Sequence, residues 1–180
     1  MNNLQIIQRG TSAIISTISK QTIMKKGDTA TIAVSPVSYQ WLLEKEMISS
    51  LKTQGIAARF SSVDTSDLLF SLHPISVSIQ YSEPFRHSFL SERVTERNIS
   101  LNFSALISKK TTGEIYYSGD EYWSSTDTVA YDVIAQLENP EHPVSHGKFL
   151  QQNWYENYFE PFVVIGTTAI VIFLFFTVRS

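Results

Sequence analysis

The chain has 180 residues, enough for one domain of ordinary size, and carries a net charge of −3. Charged residues make up 17% of it, against about 25% in a typical soluble protein, and no basic run is longer than a pair. This composition excludes a polybasic surface for nucleic acid. Cysteine is absent, which excludes disulfides, thiolate metal sites and cysteine nucleophiles.

The first third of the sequence predicts helices that alternate with short strands. Apolar residues recur at helical spacing in two segments, and Gly55 is suited to end the second helix. In that helix, Trp41, Ile48 and Leu51 approximate one apolar face. The predicted elements are a helix over 4–24, a strand over 31–35, a helix over 39–54 and a strand over 56–60.

The middle of the sequence alternates apolar and polar residues, which predicts antiparallel strands with one buried face and one solvent-exposed face. The clearest run is 99–105, where Ile99, Leu101 and Phe103 alternate with serine and asparagine. The predicted elements are strands over 68–72, 75–81, 99–105 and 114–124, a turn over 109–113 and a helix over 126–137. The charged segment 82–98 is a loop or consists of long strand ends. The fold class is therefore predicted to be α+β, with a mainly antiparallel sheet and helices packed on one face.

The C-terminal part predicts a transmembrane helix. Phe162 to Val178 is a run of seventeen uncharged residues that is apolar all round, and as a helix it reaches about 25 Å. The predicted organisation is a soluble α+β domain over 1–137, a linker and interfacial aromatic segment over 138–160, and the transmembrane helix over 161–178. The predicted membrane-interface residues are Trp154, Tyr155, Tyr158, Phe159 and Arg179.

The side of the membrane on which the domain lies stays open from the residues alone. Arg179 beyond the span favours a C-terminus in the cytoplasm and a domain outside. The first residues lack the basic and apolar regions of a secretory signal, which favours a cytosolic domain unless the chain begins further upstream.

Two segments of the sequence resemble a bacterial envelope superfamily. The first is Thr31-Ile-Ala-Val-Ser-Pro36 followed by a helix that ends Leu51-Lys-Thr-Gln-Gly55, and the second is Ser108-Lys-Lys-Thr-Thr-Gly-Glu-Ile-Tyr-Tyr-Ser118. This superfamily includes the curli secretion channel subunit, the lipoprotein activators of penicillin-binding proteins and flagellar accessory lipoproteins. The lipopolysaccharide-assembly lipoprotein has a similar order of elements. The resemblance covers residues 4 to 135 and implies an α+β fold, a periplasmic location and a protein partner, although the lipidated cysteine is absent.

The sequence shows no pattern of an active site. His142 and His146 have the spacing of zinc ligands on a helix, but Pro143 disfavours a helix there, so we interpret both as solvated. Asp120 and Glu121 are adjacent in a predicted strand and point to opposite faces, so they do not share a site. We therefore predict a non-enzymatic protein without cofactor, metal ion or small-molecule substrate.

Two groups of residues are candidates for contact with a partner. Aromatic residues cluster over 116–123, and charged residues crowd the segment 83–97. The simpler interpretation is that the first group belongs to the core and that the second is a solvated loop. The candidate contact residues are Tyr116, Trp123, Arg86, Arg93 and Arg97.

The function predicted from these features is a non-enzymatic, single-pass membrane-anchored interaction or scaffold module of a bacterial cell-envelope assembly. Its predicted contacts are membrane lipid and a protein partner, without nucleic acid, in the inner or plasma membrane. The alternative is a small accessory subunit of an integral membrane complex that acts mainly through its transmembrane helix. Replacing that helix with an unrelated anchor distinguishes the two, because only the alternative predicts loss of function.

Overall fold

Residues 1–22, 24–60, 67–88 and 91–150 are described by the computed structural model, together with the helical residues Val163, 165–168, Leu174, Phe175 and Thr177. The chain divides into two units, Met1–Phe149 and Leu150–Ser180. The elements of the first unit are α1 (Asn3–Gln21), β1 (Thr29–Val34), α2 (Gln40–Thr53), β2 (Ala57–Arg59), β3 (Leu68–Tyr81), β4 (Val94–Lys109), β5 (Ile115–Ala130), α3 (Ile134–Leu137) and β6 (Lys148–Phe149). Single 3-10 turns lie at Tyr131–Val133 and Pro143–Ser145.

The described strands form one mixed sheet of six strands, in the order β2-β1-β3-β4-β5 with β6 beside the end of β3. β1 runs parallel to both of its neighbours, β2 and β3. β3, β4 and β5 form a long antiparallel meander, and β6 pairs in parallel with Gln80 and Tyr81. The antiparallel meander that the sequence predicts makes up most of the sheet. The parallel strands β1 and β2 make the sheet mixed, because the chain returns through α2 before β2 pairs with β1.

The predicted N-terminal helix is confirmed as α1. The N–H of Asn2 donates to Gln5 Oε1 at 3.0 Å, and the N–H of Gln5 donates to Asn2 Oδ1 at 2.8 Å, so the two residues cap the helix start reciprocally. Gly10 faces the sheet, and a Cβ at this position would lie 2.5 Å from Cε3 of Trp123 and 2.6 Å from Cδ1 of Leu101. Glycine therefore allows α1 to approach β4 and β5 closely.

The hydrophobic core lies between the sheet and the two long helices. The side chains of β4 that enter this core are almost wholly buried: Ile99, Leu101, Phe103, Ala105 and Ile107. The residues between them, including Ser100, Asn102 and Ser104, lie on the opposite face of the sheet. The alternation predicted over 99–105 is confirmed, and the two long helices of the first unit, α1 and α2, cover the same face of the sheet.

The predicted fold class was wrong in its C-terminal transmembrane helix. Over the part of the chain that the structure describes, no helix combines the length and the apolar character needed to cross a membrane. Most of the predicted segment 161–178 lies outside the described residues. The physical weakness of the prediction is length, because a charge-free run reaching about 25 Å is short for a hydrocarbon core of about 30 Å. The observed fold is mixed α+β.

The helix predicted over 126–137 was wrong for most of its length. β5 continues to Ala130, and its last residues pair with the start of β4, where Val94 lies opposite Ala130. Thr126, Thr128 and Val129 are β-branched and favour a strand, and a long partner strand is available to them. Helical turns begin only at Tyr131.

Residues 138–149, which the sequence analysis assigns to a linker, belong to the first folded unit. Gly147 lies against β3, so close that a Cβ there would be 2.3 Å from Cε2 of Tyr81. The Asn3 side chain donates from Nδ2 to the carbonyl of Ser145 at 2.7 Å, which ties this segment to the start of α1. The segment then enters the sheet as β6.

Candidate functional site

The outer face of α2 forms a groove with Phe60, which we call the α2 groove. Leu42, Leu43 and Met47 are fully buried beneath the helix, so the opposite stripe of the helix faces outward. The groove has a volume of about 460 Å³. Its lining residues are Trp41, Glu44, Lys45, Ile48, Ser49, Lys52 and Phe60.

Two large aromatic side chains dominate the α2 groove. Trp41 is 42% exposed and Phe60 is 54% exposed. The Trp41 ring lies 4.9 Å from the ring of His142, centroid to centroid, which restrains one side of the indole. An exposed tryptophan in a preformed apolar groove with charged residues at its rim is the composition of a protein-binding hot spot.

A shallow depression of about 340 Å³ lies on the uncovered face of the sheet. Ser35 Oγ and His73 Nδ1 are 2.6 Å apart at its side, and the small residues Ala33, Ser71 and Ser104 help to line it. A serine–histidine pair acts as nucleophile and base when a third group orients the imidazole. In the described part of the chain, no carboxylate makes a hydrogen bond to His73, so the pair lacks that arrangement.

β5 forms one edge of the sheet and carries the predicted aromatic cluster. Trp123 is half-buried on the helix-covered face, where it packs against Gly10. Tyr122, the residue before it, is 66% exposed on the other face. Asp120 and Glu121 likewise point to opposite faces of this strand.

Tyr117 and Glu121 interact along the helix-covered face of β5. The Tyr117 hydroxyl donates to Glu121 Oε1 at 2.5 Å, and the phenol ring extends over Gly119, where a Cβ would meet the hydroxyl oxygen at 3.1 Å. Burial, together with the neighbouring Glu121 carboxylate, raises the pKa of Tyr117 to about 12. The neutral phenol is therefore the form that this strand accommodates.

This shift makes the stability of the first unit sensitive to alkaline pH. In the unfolded chain Tyr117 ionises near its ordinary pKa of about 10, whereas in the folded chain it ionises near 12. Its contribution is therefore complete below about pH 10 and is lost as the pH rises towards 12. We expect urea unfolding to show a smaller loss of stability between about pH 9 and pH 11 in Tyr117→Phe than in the unchanged chain. Tyr122→Phe, an exposed tyrosine of the same strand, is the control, and an equal loss in all three proteins would contradict the prediction.

The structure distributes the candidate contact residues over distant places. Tyr116 is the extra residue of a β-bulge at the start of β5, half-buried, and its hydroxyl donates to Glu114 Oε2 at 3.1 Å. Arg93 immediately precedes β4, with its guanidinium carbon 5.9 Å from the centre of the Tyr131 ring. Arg86 is exposed in the segment between β3 and β4. The two ends of the β4–β5 hairpin are about 45 Å apart at the rise of an extended strand, so Tyr116 and Arg93 do not share a surface.

Arg97 lies within β4 and is buried, so its guanidinium is not part of a charged loop. Only 1% of the Arg97 side chain is exposed, and its guanidinium forms a bidentate ion pair with the carboxylate of Asp127 on β5. Its Nη1 also donates to Asn3 Oδ1 at 2.7 Å. This arrangement ties β4, β5 and α1 together.

The predicted membrane-interface residues Trp154, Tyr155, Tyr158, Phe159 and Arg179 lie outside the described residues.

The α2 groove was not predicted, although the sequence contains a signal for it. Trp41, Lys45, Ile48 and Lys52 are three or four positions apart and form one stripe of the helix. The sequence interpretation placed Trp41 and Ile48 on the same face as Leu51, whereas Leu51 is fully buried and Trp41 faces outward. A separate stripe with charged residues at alternate turns is the pattern of an outer face.

No family model and no curated protein matches the sequence. Some solved structures are similar to part of this chain. Lipoprotein GNA1162 from Neisseria meningitidis is 8% identical with a TM-score of 0.40, and the match covers 61% of this chain and 92% of that one. The minor lipoprotein from Acinetobacter baumannii is 8% identical with a TM-score of 0.34, covering 61% and 71%. The LpoB C-terminal domain from Salmonella enterica is 8% identical with a TM-score of 0.35, covering 64% and 96%.

Two of these three structures are described as lipoproteins.

Proposed function

We propose that the chain is a non-enzymatic interaction module of a bacterial cell-envelope assembly, and that it holds a protein partner in the α2 groove. The observation that carries this proposal is the pair of exposed aromatic residues, Trp41 and Phe60, in a shallow groove on a helix whose other side is buried. The buried side of α2 anchors the helix in the core, so little conformational entropy is lost when a partner binds. The groove acts by binding, not by catalysis.

The chemistry of the α2 groove indicates which kind of partner it accepts. Trp41, Ile48 and Phe60 provide an apolar floor that suits one or two large apolar side chains of a partner. The lining carries two lysines, Lys45 and Lys52, and one carboxylate, Glu44, so acidic residues flanking those apolar side chains complement the lysines of the rim. The location in the envelope, on the periplasmic side, is supported by the sequence segments 31–36, 51–55 and 108–118.

The proposal is tested by photo-crosslinking from inside the groove in native cells. A photoreactive amino acid at Ser49, which lines the groove, is expected to crosslink a protein partner, whereas one at the exposed Glu92, which does not line it, is not. Adding Trp41→Ala is expected to reduce the crosslink at least about tenfold, because loss of a hot-spot residue costs about 1.4 kcal/mol or more. Phe85→Ala, which truncates another exposed aromatic residue, is the control and leaves the crosslink unchanged.

An unchanged crosslink in Trp41→Ala would contradict the groove as the binding site. Absence of any groove-dependent partner in the native envelope would contradict the proposed function itself. Urea unfolding of Trp41→Ala separates loss of binding from loss of fold, and we expect its stability to stay close to that of the unchanged chain because the indole is partly solvated.

A further inference from the structure

β5 leaves one side of its backbone without a partner among the described strands. Its inner side pairs with β4 along nearly its whole length, from Ile115 opposite Ser108 to Ala130 opposite Val94. The strand is 16 residues long, about 53 Å at the rise of an extended chain. Alternate residues of an antiparallel strand direct their N–H and C=O groups outward, so about eight residues of β5 present a ladder that another strand can complete.

The edge formed by β5 lacks most of the features that protect exposed strands. The opposite edge of the sheet is β2, which is only three residues long. Short strands, lysine, proline, bulges and inward-pointing charges are the usual protection against added strands. β5 has no lysine or proline, and its bulge is confined to Tyr116 at the start, so the register is regular from Tyr117 to Ala130. Its inward-facing carboxylates, Glu121 and Asp127, interact with Tyr117 and Arg97 of the same sheet.

The charges of β5 distinguish between possible occupants of this edge. The strand contains Asp120, Glu121 and Asp127 and no arginine or lysine. Asp127 is already paired with Arg97 and Glu121 accepts the hydrogen bond of Tyr117, whereas Asp120 is exposed on the uncovered face. A second copy of β5 would bring further carboxylates and no cation to this edge. A basic segment of another protein would place opposite charges across the strands, which is the favourable arrangement.

We infer that β5 binds an extended basic segment of another protein as an additional strand of the sheet, with arginine or lysine opposite Asp120 and Glu121. This inference rests on the proposed role as an interaction module and adds a second surface to it. Because adjacent residues of a strand face opposite sides, two neighbouring basic residues of the bound segment reach the two carboxylates from the same strand. The backbone ladder supplies the affinity and the basic pair sets the register.

The inference is tested with fluorescent peptides of about ten residues that alternate valine and threonine around a central Lys-Arg pair. The matched peptide has Glu-Glu at its centre. We expect the full chain to bind the basic peptide at least about tenfold more tightly than the acidic one, and Asp120→Lys/Glu121→Lys to reverse this order. Asp120→Lys alone, which disturbs no contact with Tyr117, is expected to lose part of the preference. Glu92→Lys/Glu141→Lys makes the same change of net charge at exposed positions away from β5 and is expected to keep the original order.

Two further peptides test whether the backbone is used. One is methylated on the amide nitrogens of odd positions and the other on even positions, so each blocks the hydrogen bonds of one edge of the peptide. An added strand uses one edge only, so we expect one of the two to lose binding at least about tenfold and the other to keep it.

Equal binding of the two methylated peptides, or a basic preference that survives the double charge reversal, would overturn the inference. Self-association of the chain that the double reversal abolishes would overturn it as well, since a second copy would then occupy the edge. Failure of this inference is distinguishable from failure of the proposed function. The peptide experiments test β5, whereas the crosslink from Ser49 and its loss in Trp41→Ala test the α2 groove without involving β5.

Discussion

Replacing Asp127 with alanine is expected to lower the free energy of unfolding by about 3 kcal/mol. The substitution removes the carboxylate that pairs with Arg97, and the guanidinium is then left in a site that is only 1% exposed. Asn3 Oδ1 at 2.7 Å and the Met1 carbonyl at 3.3 Å remain as acceptors, but neither carries a charge. The expected loss is at the lower end for a broken buried pair because Asp127 itself is 44% exposed.

Urea unfolding at neutral pH measures this loss. Asp120→Ala, which removes an exposed carboxylate from the same strand, is the control and is expected to change stability by less than about 0.5 kcal/mol. Replacing both partners, with Arg97→Met and Asp127→Leu, is expected to be less damaging than Asp127→Ala alone, because no unpaired charge remains. An Asp127→Ala protein as stable as the Asp120→Ala control would show that water reaches Arg97.

Replacing Gly147 with alanine is expected to destabilise the first unit by about 2–3 kcal/mol. The added Cβ would lie 2.3 Å from Cε2 of Tyr81 and 2.8 Å from Cγ2 of Ile79, and both of these residues are buried in the core. Tyr81 has little freedom to move, because its hydroxyl accepts a hydrogen bond from Asn3 Nδ2 at 2.8 Å. The segment carrying Gly147 must therefore shift away from β3.

Thermal or urea unfolding of Gly147→Ala measures this effect. Glu141→Ala changes an exposed residue of the same segment and is expected to stay within about 0.5 kcal/mol of the unchanged chain. The comparison also tests whether residues 138–149 belong to the folded unit, since a solvated linker would tolerate both substitutions equally.

The predicted elements that the structure confirms are those in which local sequence pattern decides the outcome. α1 follows from apolar spacing and from the reciprocal cap of Asn2 and Gln5. The turn before β5 follows from Gly113, which has a φ of 70° that glycine adopts without strain. The alternation in β4 follows from the two-residue period of a strand with one buried face.

The wrong predictions concern segments whose secondary structure or burial depends on residues far away in the sequence. The end of β5 could be interpreted as a helix because its partner, the start of β4, lies in the segment 82–98, which the sequence left open between a loop and long strand ends. Ile75 continues the apolar alternation of β3, yet it is 49% exposed because a bulge between Pro74 and Ser76 breaks the register. For the C-terminal run, hydropathy suggested a transmembrane helix although the run was short for one.

For the candidate contact surfaces too, the sequence showed the residue types, whereas the tertiary structure decided where these residues lie. The aromatic residues of β5 were noticed as a cluster, but the place of this strand at the edge of the sheet depends on how all the described strands pair. Arg97 was interpreted as a surface charge because it lies among other charged residues, and only the approach of α1 and β5 buries it. Trp41 was assigned to the wrong side of its helix because two apolar stripes lie next to each other on α2.

Residues close together in the chain thus sufficed for the helices, the turn and the alternating strands of this protein, since these elements are stabilised by short-range interactions. The tertiary structure alone decided the insertion of β1 between β2 and β3, the exposure of the β5 edge and the docking of residues 138–149. The contacts responsible join residues far apart in sequence, such as Asn3 with Tyr81 and Asn3 with Ser145, which are 78 and 142 positions apart. Packing and hydrogen-bond satisfaction across such separations have no local sequence period, so they become visible only in the folded chain.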